Sequence, residues 1–144
     1  TLFRSRHFLL ALLAGPFSWL LLWPWLAPAH FDPAWPLIHP QLLMLAVLIY
    51  PPLEEVVFRG WLQQTLANHL PAQPRWWLSP ANLATSLIFV LAHMWRHSPL
   101  MAAAVLLPSL IFGYFRERQQ TLLSPILLHG WYNLGFVYLF ANTN

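Results

Sequence analysis

The sequence predicts an all-α fold: a polytopic bundle of transmembrane helices with about five spans and a second helix kinked by proline. The 144 residues are 58% hydrophobic and only 8% charged, whereas about 25% charged residues are usual in a soluble domain. The apolar residues form long blocks near the roughly 20 residues that cross a bilayer. We expect one integral-membrane domain over residues 1–144.

The charged residues argue against a nucleic-acid partner. All fixed positive charge comes from seven arginines, since the chain has no lysine. A nucleic-acid-binding surface would cluster more basic residues, so we interpret the net charge of +3 as a feature of membrane topology. The absence of cysteine excludes disulfides and thiolate metal sites.

The first predicted span is His7–Ala27, which is long enough to cross the hydrocarbon. It lacks a small-residue cleavage site, so we expect a membrane helix rather than a signal peptide. Pro16 and Pro24 should kink or fray it. The proline-rich stretch 28–40 is typical of an ordered loop outside the membrane.

The second helical region is Gln41–Leu70. About 30 helical residues would run about 45 Å, which exceeds the roughly 30 Å hydrocarbon core. Pro51 and Pro52 lack a backbone N–H and clash with the preceding turn, so the helix should bend or restart there. After a restart, Glu54 and Glu55 would lie in a first turn, where the helix dipole favours negative charge.

The rest of the chain predicts a loop and three more spans. The loop carries a basic and aromatic interfacial anchor at 75–77. The three spans are Pro80–Arg96, Pro99–Phe115 with Pro108 as an interior kink, and Leu122–Ala141.

The arginines predict the orientation of this bundle. Arg59 belongs to a polar motif and is not counted. With five spans, only Arg96 then falls on one side, and five arginines fall on the other: Arg4, Arg6, Arg75, Arg116 and Arg118. The positive-inside rule then predicts a multi-pass protein of the cell membrane with its N-terminus in the cytoplasm.

Polar side chains interrupt the apolar helices at a few places. An ionisable group there costs several kcal/mol unless it is paired or neutralised. Glu54 and Glu55 follow ten uncharged residues, and Arg59 lies four residues after Glu55, so these two can pair along a helix. His129 and Asn133 share a helix face for the same reason.

These side chains favour hydrolysis by activated water. Polar residues of membrane helices usually face the bundle interior, so we expect three helices to bring Glu54, His93, His129 and Asn133 to one cavity. A carboxylate with an imidazole can deprotonate water. An imidazole with a carboxamide can donate to a developing oxyanion.

Three motifs occur in order: EExxxR at Glu54–Arg59, FxxxH at Phe89–His93 and HxxxN at His129–Asn133. Over residues 41–136 the chain resembles the CAAX protease and bacteriocin-processing (CPBP, or Abi) family. The resemblance implies an intramembrane protease of the glutamic type that works without metal, acting on a protein or peptide substrate in the lipid bilayer.

The resemblance also implies roles by motif position. Glu54 would activate water together with His93, and His129 and Asn133 would hold the oxyanion. The residues expected to support the site are Glu55, Arg59 and Phe89. Family members that act on prenylated proteins have more spans than this chain, so processing of another membrane-anchored protein or of a C-terminal signal is the expected activity.

Three alternatives remain at this point. The chain could be a non-catalytic bacteriocin self-immunity or scaffold member of the same family. His93 and His129 could be axial haem ligands of a redox protein. Glu54, His93 and His129 could bind Zn²⁺ with water in the fourth position, although no HExxH pairing is present.

Overall fold

The computed structural model describes residues 5–26, 31–71 and 78–140. All regular structure in these ranges is helical and includes no strand, which confirms the all-α prediction. The helices are α1 Arg6–Leu26, α2 Trp35–Ile38, α3 Pro40–His69, α4 Pro80–His93, α5 Pro99–Ala104, α6 Leu106–Gln119 and α7 Leu123–Phe140.

Three described stretches are long and apolar enough to cross a membrane: Arg6–Trp25, Pro40–His69 and Pro99–Gln119. The other two predicted spans correspond to α4, a shorter apolar helix of 14 residues, and to α7, of 18 residues. The chain therefore has the character of a helical membrane bundle. The number of crossings and the orientation stay predictions.

The prolines of α1 do not fray it, because the helix continues through both Pro16 and Pro24. The expected loop over 28–40 contains the short helix α2 in its described part. The interfacial anchor at 75–77 and Arg4 lie outside the described residues.

The second helix does not restart at Pro51, which was one of the two expected responses to the prolines. Helical structure runs without a break from Pro40 to His69, with wide π-helical turns at Leu45–Ile49 and Val56–Leu62. At the end of the first π turn, the N–H of Tyr50 bonds to the Leu45 carbonyl, five residues earlier. The helix therefore already has a wider turn before Pro51 and Pro52, which lack an N–H. The two glutamates therefore lie inside a helix and not in a first turn.

Pro108 interrupts the next long segment, as predicted. Because proline has no N–H to donate to the carbonyl of Ala104, α5 ends at Ala104 and α6 begins at Leu106, with Val105 between them. Pro80 occupies the first turn of α4, and the Ser79 hydroxyl caps that helix.

The chain divides into two compact units. We call residues 53–126 the central unit, and residues 1–52 with 127–144 the terminal unit. The boundaries fall inside α3 and inside α7.

Candidate active site

A fully buried ion pair lies in the middle of the EExxxR motif. Arg59 Nη1 is 3.1 Å from Glu55 Oε1, and neither side chain is exposed. Arg59 Nη2 also donates to the carbonyl and the hydroxyl of Ser109 on α6, at 3.1 and 2.6 Å. The predicted pairing is confirmed, and Ser109 joins it.

The same guanidinium lies among aromatic rings. Its central carbon is 4.6 Å from the ring centre of Phe89 and 5.4 Å from that of Phe112. Phe89 in turn meets Phe58 edge-on, with ring centres 4.8 Å apart. A positive charge among aromatic faces is attracted to them. Phe89 therefore stabilises the guanidinium of Arg59, and it also packs against the ring of His93.

His93 follows Phe89 by one turn of α4, and their ring centres are 4.3 Å apart. The Nδ1 atom of His93 is 2.9 Å from the Phe89 carbonyl. Because a carbonyl only accepts, the proton of this bond belongs to Nδ1. In the neutral ring Nε2 is then the lone-pair acceptor, which is the tautomer that can take a proton from water.

Glu54 differs from its neighbour in burial. Glu55 is completely inaccessible, whereas Glu54 is half-buried on the same helix. Successive residues of a helix point about 100° apart, so the two adjacent carboxylates of the motif lie in different surroundings. One of them is committed to Arg59, and the other keeps partial access.

Sequence reasoning missed a set of polar residues that continues the line of Glu55 and Arg59. Gln63, one turn further along α3, is 1% exposed and donates from Nε2 to the Gly113 carbonyl at 3.1 Å and to Glu117 Oε1 at 2.8 Å. Glu117 also accepts from the hydroxyl of Ser79. The signal for Gln63 in the sequence is its position four residues after Arg59, the same spacing that separates Arg59 from Glu55.

The second π turn of α3 is also held by a side chain. The N–H of Gln63 bonds to the Phe58 carbonyl, not to that of Arg59. Arg116 Nε donates to the Arg59 carbonyl at 3.3 Å, and its Nη2 donates to Gln64 at 3.0 Å. Arg116 therefore satisfies a backbone acceptor beside the second π turn.

In the terminal unit, α7 carries the HxxxN motif within one continuous helix. His129 is 4% exposed, and Asn133 is half-buried one turn later. Asn133 Nδ2 donates to the Ala46 carbonyl at 2.8 Å. Ala46 lies in the first π turn, where the N–H of Tyr50 has moved to Leu45, so Asn133 takes the place of a missing helical donor.

Two neighbours of Asn133 donate to backbone carbonyls of α1. Trp131 Nε1 donates to the Leu12 carbonyl at 3.0 Å, and the Tyr132 hydroxyl donates to the Ala11 carbonyl at 2.6 Å. The Leu12 carbonyl lies four residues before Pro16, which has no N–H to give it. Three consecutive side chains of α7 thus donate to backbone carbonyls of α1 and of the first π turn.

Gly130 explains how α7 comes so close to the first π turn. A Cβ atom at this position would lie 2.8 Å from the carbonyl oxygen of Val47. That oxygen also lacks its helical partner, because Pro51 occupies the donor position four residues later. The glycine after His129 is therefore needed for close approach of two backbones.

Among the residues that the structure describes, no three or more His, Asp or Glu side chains are grouped as a metal site. The zinc and haem alternatives remain predictions, to be tested on purified protein by metal analysis and by absorbance in the Soret region.

Comparison with known proteins places these features in a family. The family model described as type II CAAX prenyl endopeptidase Rce1-like matches residues 34–135. The chain belongs to the Rce1-like family. This membership confirms the resemblance drawn from the three motifs, all of which lie in the matched range.

One curated relative of this Rce1-like chain is described as an uncharacterized 24.3 kDa protein of Escherichia coli. It is 37% identical over 89 residues, which are 61% of this chain and 39% of the relative. The chain thus spans well under half the length of the relative that it matches. No solved structure matches it.

Proposed function

We propose that this Rce1-like chain hydrolyses a peptide bond of a membrane-anchored protein, with Glu54 as the base that activates water. The observation that carries the proposal is the unequal surroundings of the two glutamates. Glu55 is completely buried and bonded to Arg59, whereas Glu54 is half-buried. A carboxylate without full burial can meet water, and one neutralised by an ion pair is a poor base.

His93 is the proposed partner of Glu54 in holding that water. Its Nδ1 proton is bonded to the Phe89 carbonyl at 2.9 Å, which orients the ring and leaves Nε2 as an acceptor. The water oxygen attacks the carbonyl carbon of the substrate while its proton passes to Glu54. When the carbon–nitrogen bond breaks, the leaving amine takes that proton from Glu54.

His129 and Asn133 are the proposed donors to the oxyanion. One N–H of the Asn133 amide is bonded to the Ala46 carbonyl. An amide group has two such hydrogens, so the bond fixes the side chain and still leaves a second donor for the substrate oxygen. Preorganised donors of this kind typically contribute about 10²–10³ in rate.

The proposed substrate is a protein held in the membrane by a hydrophobic segment or a C-terminal signal. A prenylated substrate is the branch that the family description suggests. Both kinds of substrate would present an extended peptide near a membrane anchor, and both leave a new C-terminus after cleavage.

The experiment compares the termini of membrane proteins in cells that make the wild type or Glu54→Gln. We expect a set of termini that depends on the wild type, and a loss of about 10²–10⁴ in cleavage of a peptide spanning such a terminus. Full cleavage by Glu54→Gln would contradict the proposal.

Two controls keep this result interpretable. Asp32→Asn makes the same carboxylate-to-amide change outside the three motifs, and its amide oxygen can still accept from the N–H of Ala34. Thermal unfolding in detergent should show that Glu54→Gln and Asp32→Asn are both folded.

A further inference from the structure

Buried polar atoms of the central unit that lack a hydrogen-bond partner among the described residues include Arg59 Nε, Gln63 Oε1 and Thr85 Oγ1. The three residues are at most 1% exposed. Buried polar atoms are rarely left unpaired, and clusters of them commonly surround ordered water.

A buried stripe of residues on α4 includes Thr85 and extends to the contact between Phe89 and Arg59. Asn82, Thr85 and Phe89 occupy positions i, i+3 and i+7, so they form one stripe on this helix. All three are buried. The ring of Phe89 lies 4.6 Å from the guanidinium carbon of Arg59, and Thr85 is about one turn away from that contact.

The other end of the stripe is linked to Gln63 through Gly113. The side chain of Asn82 packs so tightly on Gly113 that a Cβ atom on this glycine would overlap it. The Gly113 carbonyl accepts from Gln63 Nε2. Thr85 therefore lies between the level of Arg59 and the level of Gln63, which are themselves one turn apart on α3.

The orientation of the Gln63 amide is fixed by its partners. Nε2 donates to a carbonyl and to the carboxylate of Glu117, and both of these groups accept. The opposite atom, Oε1, must then point away from them. The unpaired atom of Gln63 is an acceptor, and the unpaired atom of Arg59 is a donor.

We propose that an ordered water molecule binds between α3 and α4, held by Arg59 Nε, Gln63 Oε1 and Thr85 Oγ1. The water accepts from the N–H of Arg59, donates to Gln63 and makes a third bond with the Thr85 hydroxyl, which can donate or accept. Three bonds are typical of a buried water. Such a water would fix Arg59 from the side of Nε, while Glu55 and Ser109 hold its two terminal nitrogens.

The consequence for catalysis rests on the proposed function. By holding Arg59, the bound water would hold Glu55 and with it the turn that carries Glu54. Thr85 and Gln63 are then positioning residues, which do not touch the substrate. Their loss should lower kcat and leave KM unchanged.

The decisive variant is Thr85→Val, which keeps the shape of the side chain and removes its hydroxyl. If water is bound, the variant loses a bond and its melting temperature in detergent should fall by about 3–6 °C. If the hydroxyl is simply unpaired, the melting temperature should stay the same or rise, because an unsatisfied polar group has been removed. That second result would overturn the proposal.

Thr85→Ser is the matched control for the hydroxyl. It keeps the proposed bond and loses only a methyl group, so under the proposal Thr85→Val should be the less active of the two. An experimental structure at about 2 Å should show a peak within hydrogen-bond distance of at least two of the three atoms. Direct bonds among the three side chains with no such peak would overturn the site.

The melting and density measurements do not depend on catalysis. If neither wild type nor Glu54→Gln cleaves any substrate, the proposed function fails and the water site is still decided. If cleavage depends on Glu54 but Thr85→Val keeps the wild-type kcat, the positioning role is overturned and the proposed function stands.

Discussion

The two compact units stabilise polar groups inside apolar helices by different chemistry. The central unit buries a charged pair, Glu55 and Arg59, and surrounds it with hydroxyl and aromatic groups. In the terminal unit, neutral side chains of α7 donate to backbone carbonyls of α1 and of the first π turn. A buried charge that loses its partner is far more costly than a neutral donor that is lost, so the two units should respond very differently to substitution.

The largest effect is expected for the ion pair. Arg59→Met leaves Glu55 buried without its counter-charge and should lower the free energy of unfolding by about 3–5 kcal/mol. The measurement is unfolding in detergent micelles. As a control, Arg118→Met removes an exposed arginine and should change the free energy of unfolding by less than about 0.5 kcal/mol.

A double variant sharpens this result. Adding Glu55→Leu to Arg59→Met replaces the pair by apolar groups, which is often neutral relative to the original pair. The double variant should therefore regain much of the lost stability. If the double variant is no more stable than Arg59→Met, the missing counter-charge of Glu55 is not the cause of the lost stability.

The next effect tests packing in the terminal unit. Gly135 lies against Trp19, and a Cβ atom there would overlap the indole ring. Gly135→Ala should cost about 2–3 kcal/mol, because a rigid ring must move. In Gly60→Ala the added atom would meet a flexible leucine side chain at 3.3 Å, so its melting temperature should stay close to that of the wild type.

Asn133→Leu should have an intermediate effect. It leaves the Ala46 carbonyl without the donor at 2.8 Å, and we expect a loss of about 1–2 kcal/mol in unfolding free energy. Asn68→Leu, at an exposed position of α3, is the control. If both variants melt like the wild type, the bond to Ala46 contributes nothing to stability.

The smallest effects concern the bonds from α7 to α1. Trp131→Phe removes a donor that is 36% exposed and should cost about 0.5 kcal/mol, whereas Tyr132→Phe removes a buried one and should cost about 1 kcal/mol. Thermal melts of the two variants check the order. The reverse order would show that burial does not decide the strength of these bonds.

Local spacing predicted the parts of the structure that depend on neighbours in sequence. The Glu55–Arg59 pair follows from a spacing of four on a helix, and the break before Pro108 follows from its missing N–H. The family followed from three short motifs. Each of these conclusions needs only residues within one or two turns.

The π turns and their donors could not be predicted in the same way. A proline shows which N–H is absent, but the helix can respond by a restart, a bend or a wider turn. In α3 the wider turns occur at Leu45–Ile49 and Val56–Leu62. Which side chain then meets a released carbonyl is decided by packing between distant segments, as with Asn133 and Ala46, which lie 87 residues apart. The joint site of the three motifs stays a prediction.

The division of the chain has a consequence for biogenesis. The central unit is one uninterrupted stretch of 53–126, whereas the terminal unit joins residues 1–52 to 127–144. Contacts within a continuous stretch close shorter loops and form sooner than contacts between distant segments. We therefore expect the segment bearing Glu55 and Arg59 to assemble early during membrane insertion. The bonds from Trp131, Tyr132 and Asn133 to the N-terminal segments should form later.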